Sequence, residues 1–154
     1  MKKINSDLFK LTMSKYATGV TIISINKNNT YIGKTVNSFA SLSLSPPLVL
    51  FSLDKKSSSL NYFKKSNFIG INILAKDQKK LSNHFSMKEP DWDNAPYYLS
   101  NKKVPLIKNC VANIHCNKIK LINQGDHVIF ICKVDSIKIN QKKRPLLYVN
   151  SKYI

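Results

Sequence analysis

The chain has 154 residues, 43% of them hydrophobic and 21% charged, which is one domain's worth of core and excludes a disordered polymer. No apolar run approaches the roughly 20 residues that a membrane-spanning helix needs, so a soluble protein is expected. The formal net charge of +17 would suit nucleic acid, but only Arg144 is an arginine and the lysines are scattered, so the charge reads as a solvated surface without the arginine forks and interleaved aromatics of a nucleic-acid face.

In chain order, Ser6-Asp7 followed by Leu8, Phe9, Thr12, Met13 and Tyr16 predicts a short capped helix that stops near Thr18-Gly19. Val20 to Ile25 is an uninterrupted β-branched run, Asn28-Asn29 is a turn, and Tyr31 to Lys34 begins the partner strand of a hairpin. Thr35 to Ser43 alternates small polar and apolar residues, and Pro46-Pro47 breaks the chain before a buried strand from Leu48 to Leu53. Ser57-Ser58-Ser59 opens a helix carrying Leu60, Tyr62 and Phe63. Phe68 to Leu74 is again a strand, and Asp77 to Phe85 a second small helix.

Ser86 to Val104, with Pro90, Trp92 and Pro96, reads as an irregular excursion of the kind that covers sites. Two long strands follow, Cys110 to Ile122 and Val128 to Ile139, antiparallel across Asn123-Gln124-Gly125-Asp126, and then a short terminal run from Leu146 to Val149. Six or seven strands with two or three short helices predict a single mostly-β domain over residues 1–154, a barrel or sandwich. The four glycines form neither a dinucleotide fingerprint nor a phosphate loop. Cys110, Cys116 and Cys132 are odd in number and lack a CxxC pair, which fits reduced thiols packed as small hydrophobes in a cytoplasmic protein.

Two polar clusters are the candidates for chemistry, although the first, taken alone, is more often an ordinary turn at a strand end. Lys34-Thr35-Val36-Asn37-Ser38-Phe39 places hydrogen-bonding side chains beside an apolar segment, and Ser52-Leu53-Asp54-Lys55-Lys56-Ser57-Ser58-Ser59 lies at the far end of the Leu48 to Leu53 strand. Serine hydroxyls, backbone N–H groups and lysine ammonium groups in the second cluster have the makings of an anion site, although the same serines could simply cap a helix. His127, alone at the start of an apolar strand, is on residue type more often structural than functional.

These segments carry a family resemblance. Tyr16-Ala17-Thr18-Gly19-Val20-Thr21, the run Thr35 to Leu50, Phe68 to Leu74, Gly125-Asp126-His127 and Pro145-Leu146-Leu147-Tyr148 resemble the flavin reductase-like family, the reductase components of two-component flavin-dependent monooxygenases. The resemblance runs from Phe9 to Tyr153 and implies an FMN-binding split β-barrel, usually a homodimer with flavin sites near the subunit interface. It implies that Thr35, Val36, Asn37 and Ser38 line the isoalloxazine edge, and that Ser52, Lys55, Ser57, Ser58 and Ser59 surround the ribityl and phosphate groups. It further implies that Phe85 packs near the flavin and that His127 positions the nicotinamide or the flavin.

The activity so implied is hydride transfer from NADH or NADPH to flavin N5 in FMN, or FAD, with the reduced flavin passing to a separate oxygenase component. The chain also departs from the pattern, with Cys132 where glycine is common, Asn150 where a basic residue is customary, and Lys15 where arginine is frequent. These departures keep open a flavin-binding carrier without nicotinamide turnover; a basic nucleic-acid-binding barrel is the remote alternative, with nucleic acid and membrane not among the expected partners.

Overall fold

A computed structural model describes residues 3–154. The chain opens with helix α1 (Ser6–Ser14), whose first-turn N–H groups are met by Asn5, its Oδ1 accepting from Leu8 N at 2.8 Å. The cap is therefore Asn5, one residue earlier than Ser6. No residue of α1 is buried, and Phe9, Leu11 and Met13 all stand exposed. Thr18–Gly19 does not end the helix but forms a short strand, β1, paired to a later one.

The hairpin of β2 (Thr21–Lys27) and β3 (Thr30–Val36) turns on Asn28 and Asn29, both at positive φ (50° and 67°), a conformation that asparagine tolerates. β4 (Ala40–Leu44) and β5 (Pro47–Asp54) form a second hairpin, followed by helix α2 (Leu60–Lys65) and β6 (Phe68–Ile73). A single 3-10 turn (Lys76–Gln78) leads into α3 (Lys79–Ser86). The excursion is less irregular than its composition predicts: β7 (Tyr97–Leu99) pairs with β8 (Pro105–Ile107), and Trp92 is buried against Tyr31, Phe85 and Tyr97. Its apolar aromatics supply the burial that fixes it.

The long strands β9 (Ala112–Gln124) and β10 (His127–Ile139) meet across Gly125 and Asp126, with Gln124 facing His127 in register and Gly125 at φ 56°. β11 (Leu147–Val149) and β12 (Lys152–Tyr153) close the chain as a hairpin whose turn residues, Asn150 and Ser151, are also left-handed. The tally of six or seven strands describes only the main sheet, an antiparallel array in the order β3-β2-β6-β9-β10-β5-β4; β1-β11-β12 and β7-β8 add two small sheets.

That sheet curls until β3 returns to β5, which gives a barrel-like body with an unzipped seam along β3. Inside it pack Ile23, Ile25, Phe51, Phe63, Ile69 and Phe130, with Phe51 and Phe130 stacked 4.8 Å apart and Phe63 of α2 edge-on to both. Outside it Val20, Ile22, Leu74, Phe85 and Trp92 form a second core beneath α3 and the excursion. β2 thus buries both faces, which is why Ile22, Ile23 and Ile25 dominate its buried part and the two buried polar residues, Thr21 and Ser24, donate to Val36 O and Pro105 O.

One polar residue inside this packing is fully used. Asn72 donates to Ile22 O and Ser24 Oγ and accepts from Ile107 N and Asn113 Nδ2, tying β2, β6, β8 and β9 together. A buried amide satisfied in this way specifies register, because a slipped strand would strand each of these groups. All three cysteines are free and buried. Burial pushes the Cys110 thiol up to about 12, and the neighbouring Cys132 together with burial pushes Cys116 up as well, so neither is a nucleophile near neutrality. Among the described residues no helix is long and apolar enough to cross a membrane.

Candidate functional site

The β4–β5 hairpin reverses the chain, so the two polar clusters, far apart along the strand in sequence, become neighbours across the seam. Ser38 joins them: its Oγ accepts from Ser52 N and donates to Ser52 O, both at 3.0 Å. The β4–β5 ladder ends at Ala40 opposite Leu50, and two residues further on the Ser38 side chain takes the place of the missing rung. Ser38 and Ser52 thereby fix the floor of the seam.

Most of the other expected donors are engaged in the same way. Thr35 Oγ1 donates to Ser82 O of α3 at 2.8 Å, and Ser82 Oγ pairs with the Tyr153 hydroxyl at 2.9 Å. Lys55 Nζ donates to Gly125 O at 2.6 Å, and its N–H to Asp126 O at 2.9 Å, which binds the end of β5 to the β9–β10 turn. Ser57 and Ser59 hydroxyls lie 3.0 Å apart, and Ser58 Oγ donates to Lys88 O of the excursion at 3.0 Å. Ser59 precedes α2 without a side-chain cap bond, so the capping role open to these serines is not the one Ser59 fills. Lys34 Nζ holds Ser86 O and Met87 O at the end of α3, and partial burial lowers its pKa.

Two cavities flank β3. One, of about 200 Å³, is lined by Val20, Thr35, Val36 and Asn37 together with Tyr148 and Tyr153, a tyrosine pair 5.2 Å apart that residue patterns alone did not mark as part of the site. The other, of about 450 Å³, lies among β3, Ser58, Ser59, Tyr62 and residues 88–91. Asn37 is exposed and lines the first cavity. Hydroxyls, an amide and two lysines, Lys27 and Lys88, among the residues lining these cavities are a set that suits a phosphorylated, hydrogen-bonding ring system.

His127 begins β10, opposite Asp54 of β5, and is partly exposed. Its Nδ1 donates to Asp126 Oδ1 at 2.7 Å, which leaves Nε2 as the outward nitrogen. That bond and the charge of the His127 ring hold the Asp126 carboxyl below the usual carboxylate range. Phe85 is placed differently from its expected flavin contact. It is 0% exposed, and its ring fills the space above Gly33, where an added Cβ would come within 2.6 Å of it. It therefore supports β3 from behind and has no surface to give a ligand.

Two of the departures from the family pattern, Lys15 and Asn150, meet in one place. Lys15 Nζ donates to Asn150 Oδ1 at 2.8 Å, and Asn150 N to Ser14 O at 2.6 Å, so the C-terminal turn anchors α1. Asn150 has φ 51°, a left-handed position that asparagine fills more readily than most residues. Cys132 lies inside the barrel core, where its thiol is simply packing.

With this geometry in view, the comparisons are unambiguous. The family model described as "Flavin reductase like domain" matches residues 13–154, and the chain belongs to that family. It is 35% identical over 130 residues to the FMN reductase (NADH) SmoA of Agrobacterium fabrum, covering 84% of this chain and 75% of that protein. It is 31% identical over 151 residues to HsaB of Rhodococcus jostii, the reductase subunit of a flavin-dependent monooxygenase, covering 94% and 75%. Among solved structures, the NADH:FAD oxidoreductase SgcE6 of Streptomyces globisporus superposes with a TM-score of 0.94 at 26% identity, over 100% of this chain and 96% of that one.

Proposed function

We propose that this protein is an NADH:flavin oxidoreductase that passes reduced flavin to a separate oxygenase component. The observation that carries this is the seam itself: the Ser38–Ser52 bonds bring the two polar clusters together beside two cavities, in a chain that belongs to the flavin reductase like family. The bound flavin supplies a hydride acceptor at N5. The chain's own residues bind, orient and exclude water. Thr35, Val36, Asn37 and Ser38 line the ring edge, and donors there favour the electron-rich reduced ring. Ser57, Ser58, Ser59 and Lys55 hold the phosphate end, Lys55 and Ser58 mainly by bracing the walls around it.

His127 acts by position. Asp126 fixes the ring through Nδ1, and the outward Nε2 is free to meet a nicotinamide amide; no general base is needed for hydride transfer. His127→Ala is expected to raise the KM for NADH about tenfold, the worth of one good hydrogen bond, with a smaller effect on kcat. Asp126→Asn should reproduce part of that rise. The restraint that Asp126 imposes is present above its ordinary pKa and is lost as pH falls through its depressed one, so KM should rise only on the acid side. A steady-state KM-against-kcat comparison across pH checks both statements.

The functional unit is a homodimer. In support, α1 exposes Phe9, Leu11 and Met13, while Leu42 and Leu44 of β4 are also exposed, Leu44 at 94%. Exposed apolar groups of that number on one small chain suit a subunit contact. Leu44→Asp with Phe9→Asp should shift the protein from dimer to monomer in light scattering; an unchanged dimer would place the contact elsewhere. Three reduced, buried thiols fit a cytoplasmic location, where NADH is at hand.

The reading is tested by mixing the protein and FMN with NADH in the absence of oxygen. Rapid bleaching of the oxidised flavin absorbance band is expected, and no acceleration over free FMN would overturn it.

A further inference from the structure

The outer face of β9 holds a polar group that the flavin seam does not use. His115 is 1% exposed, and its ring lies nearly parallel to that of Phe68, 5.8 Å away. Its Nδ1–H donates to Asp135 Oδ2 at 3.2 Å, so the carboxylate fixes the tautomer and the neutral ring presents Nε2 as an acceptor. That Nε2 is buried and has no partner among the described residues. A bulge sets up the pair: Val134 faces Cys116 and Ser136 faces His115, which makes Asp135 the extra residue on β10 and takes it out of the strand's alternation.

His115 lines a cavity of about 210 Å³ between the β7–β8 hairpin and the far ends of β9 and β10. The cavity shares no lining residue with either of those beside β3. It lies about 30 Å along β9 from Gln124, which faces His127. We propose that this cavity is a second small-molecule site, for a single-ring hydroxylated carboxylic acid whose ring hydroxyl donates to His115 Nε2.

Each part of that ligand answers to a group in the wall. The volume is several times the roughly 30 Å³ that one water occupies and below the roughly 300–1,000 Å³ of sites for drug-sized ligands, so a single ring is the size that fits. Leu106 and Ile137 give the ring an apolar surround. Lys138, whose ammonium stands 4.9 Å from the Tyr98 ring centroid, supplies the charge for the carboxylate. Ser100 Oγ already accepts from Val104 N at 3.1 Å, which leaves its hydrogen to donate to the same carboxylate. The Tyr98 hydroxyl is spent on Asn113 Oδ1, so it does not compete for the ligand. His115 Nε2 then makes the site selective, because an acid that lacks the hydroxyl leaves this buried nitrogen unpaired.

The probes are para-hydroxybenzoate, phenol and benzoate, titrated by calorimetry in mildly alkaline buffer with FMN present, so that the ring-edge cavity stays out of the reading. Para-hydroxybenzoate is expected to bind at least tenfold more tightly than either of the others, each of which lacks one polar contact. Lys138→Ala should weaken para-hydroxybenzoate about tenfold and leave phenol unchanged, and His115→Phe should bring para-hydroxybenzoate and benzoate together. Nitrogen NMR of the parent protein reads the contact without a variant: the His115 Nε2 signal should move with para-hydroxybenzoate and with phenol and stay in place with benzoate. A signal unmoved by all three at millimolar concentration would mean that water alone serves this nitrogen, and overturns the proposal. Equal binding of para-hydroxybenzoate to Lys138→Ala and the parent overturns it as well. No arm reads flavin binding or NADH consumption, so the flavin reductase reading stands or falls separately.

Discussion

Phe85→Ala is expected to lower the free energy of unfolding by about 3–5 kcal/mol, the cost of emptying a fully buried aromatic position. The ring is 0% exposed and packs against Trp92 at 4.8 Å and over Gly33. The mirror substitution, Gly33→Ala, should also destabilise, by about 1–3 kcal/mol, because its new Cβ would meet the Phe85 ring at 2.6 Å with Trp92 closing the other side at 3.0 Å. Urea denaturation measures both. A Phe85→Ala loss below 1 kcal/mol, accompanied by a large loss of flavin affinity, would return this residue to the ligand side of β3. The second core is thus part of how the site works: it supports the edge strand that carries Thr35 and Val36 and leads into Asn37 and Ser38, and α3 supplies the Ser82 carbonyl that holds the Thr35 hydroxyl.

Ser38→Ala is expected to weaken FMN binding about tenfold or more, through geometry rather than a lost contact alone. The serine hydroxyl meets both the N–H and the C=O of Ser52 where β4 no longer runs alongside β5. Without it those two groups are unpaired in a part-buried seam, a stability cost of about 1–3 kcal/mol for each that stays dry; the loosened seam must be re-formed around the flavin, and each 1.4 kcal/mol of that cost which binding has to supply is a factor of ten in affinity. Threonine keeps the hydroxyl, so Ser38→Thr should recover most of the binding. Equal flavin affinity in Ser38→Ala and the parent, measured by equilibrium titration of flavin fluorescence, would show that the clasp is not what shapes the site.

Much of the fold was legible in the chain itself, because its elements announce themselves by period and turn. Asn28-Asn29 and Gly125-Asp126 mark two hairpins, and the β-branched-rich run from Val20 to Ile25 marks a strand, while its burial on both faces is visible only in the structure. What could not be read was pairing at a distance. Asn72 interrupts an apolar strand, a signal of an internal network, but its four partners come from three other strands, two of them on β2 and one each on β8 and β9, none near it in sequence. The excursion looked irregular because its Pro and Asp residues mask a buried tryptophan that sets its path. Phe85 was read at the end of a helix from the sequence and near the flavin by resemblance, and only the three-dimensional position of Gly33 shows which side of β3 its ring covers.

The site was legible in its composition and not in its wiring. Thr35, Ser38, Lys55 and Ser58 were expected as ligand donors, and each spends a hydrogen bond on the frame. Hydroxyl and ammonium groups near a strand end look the same in sequence whether they face a ligand or a neighbouring carbonyl. Tyr148 and Tyr153 were missed because a terminal tyrosine carries no periodic signal; their position against Val36 and Asn37 depends on the C-terminal hairpin folding back beside β3. Lys15 and Asn150 appeared as separate departures from the family and are one contact, which anchors α1 to that same hairpin.

The most direct test of the central claim is the steady-state consumption of NADH, followed by its nicotinamide absorbance, as FMN or FAD is added to the purified protein. The account predicts a rate that is negligible without flavin, rises to saturation with it, and falls in the Ser38→Ala and His127→Ala proteins. A rate that does not depend on flavin, or no NADH consumption with either flavin, would contradict it.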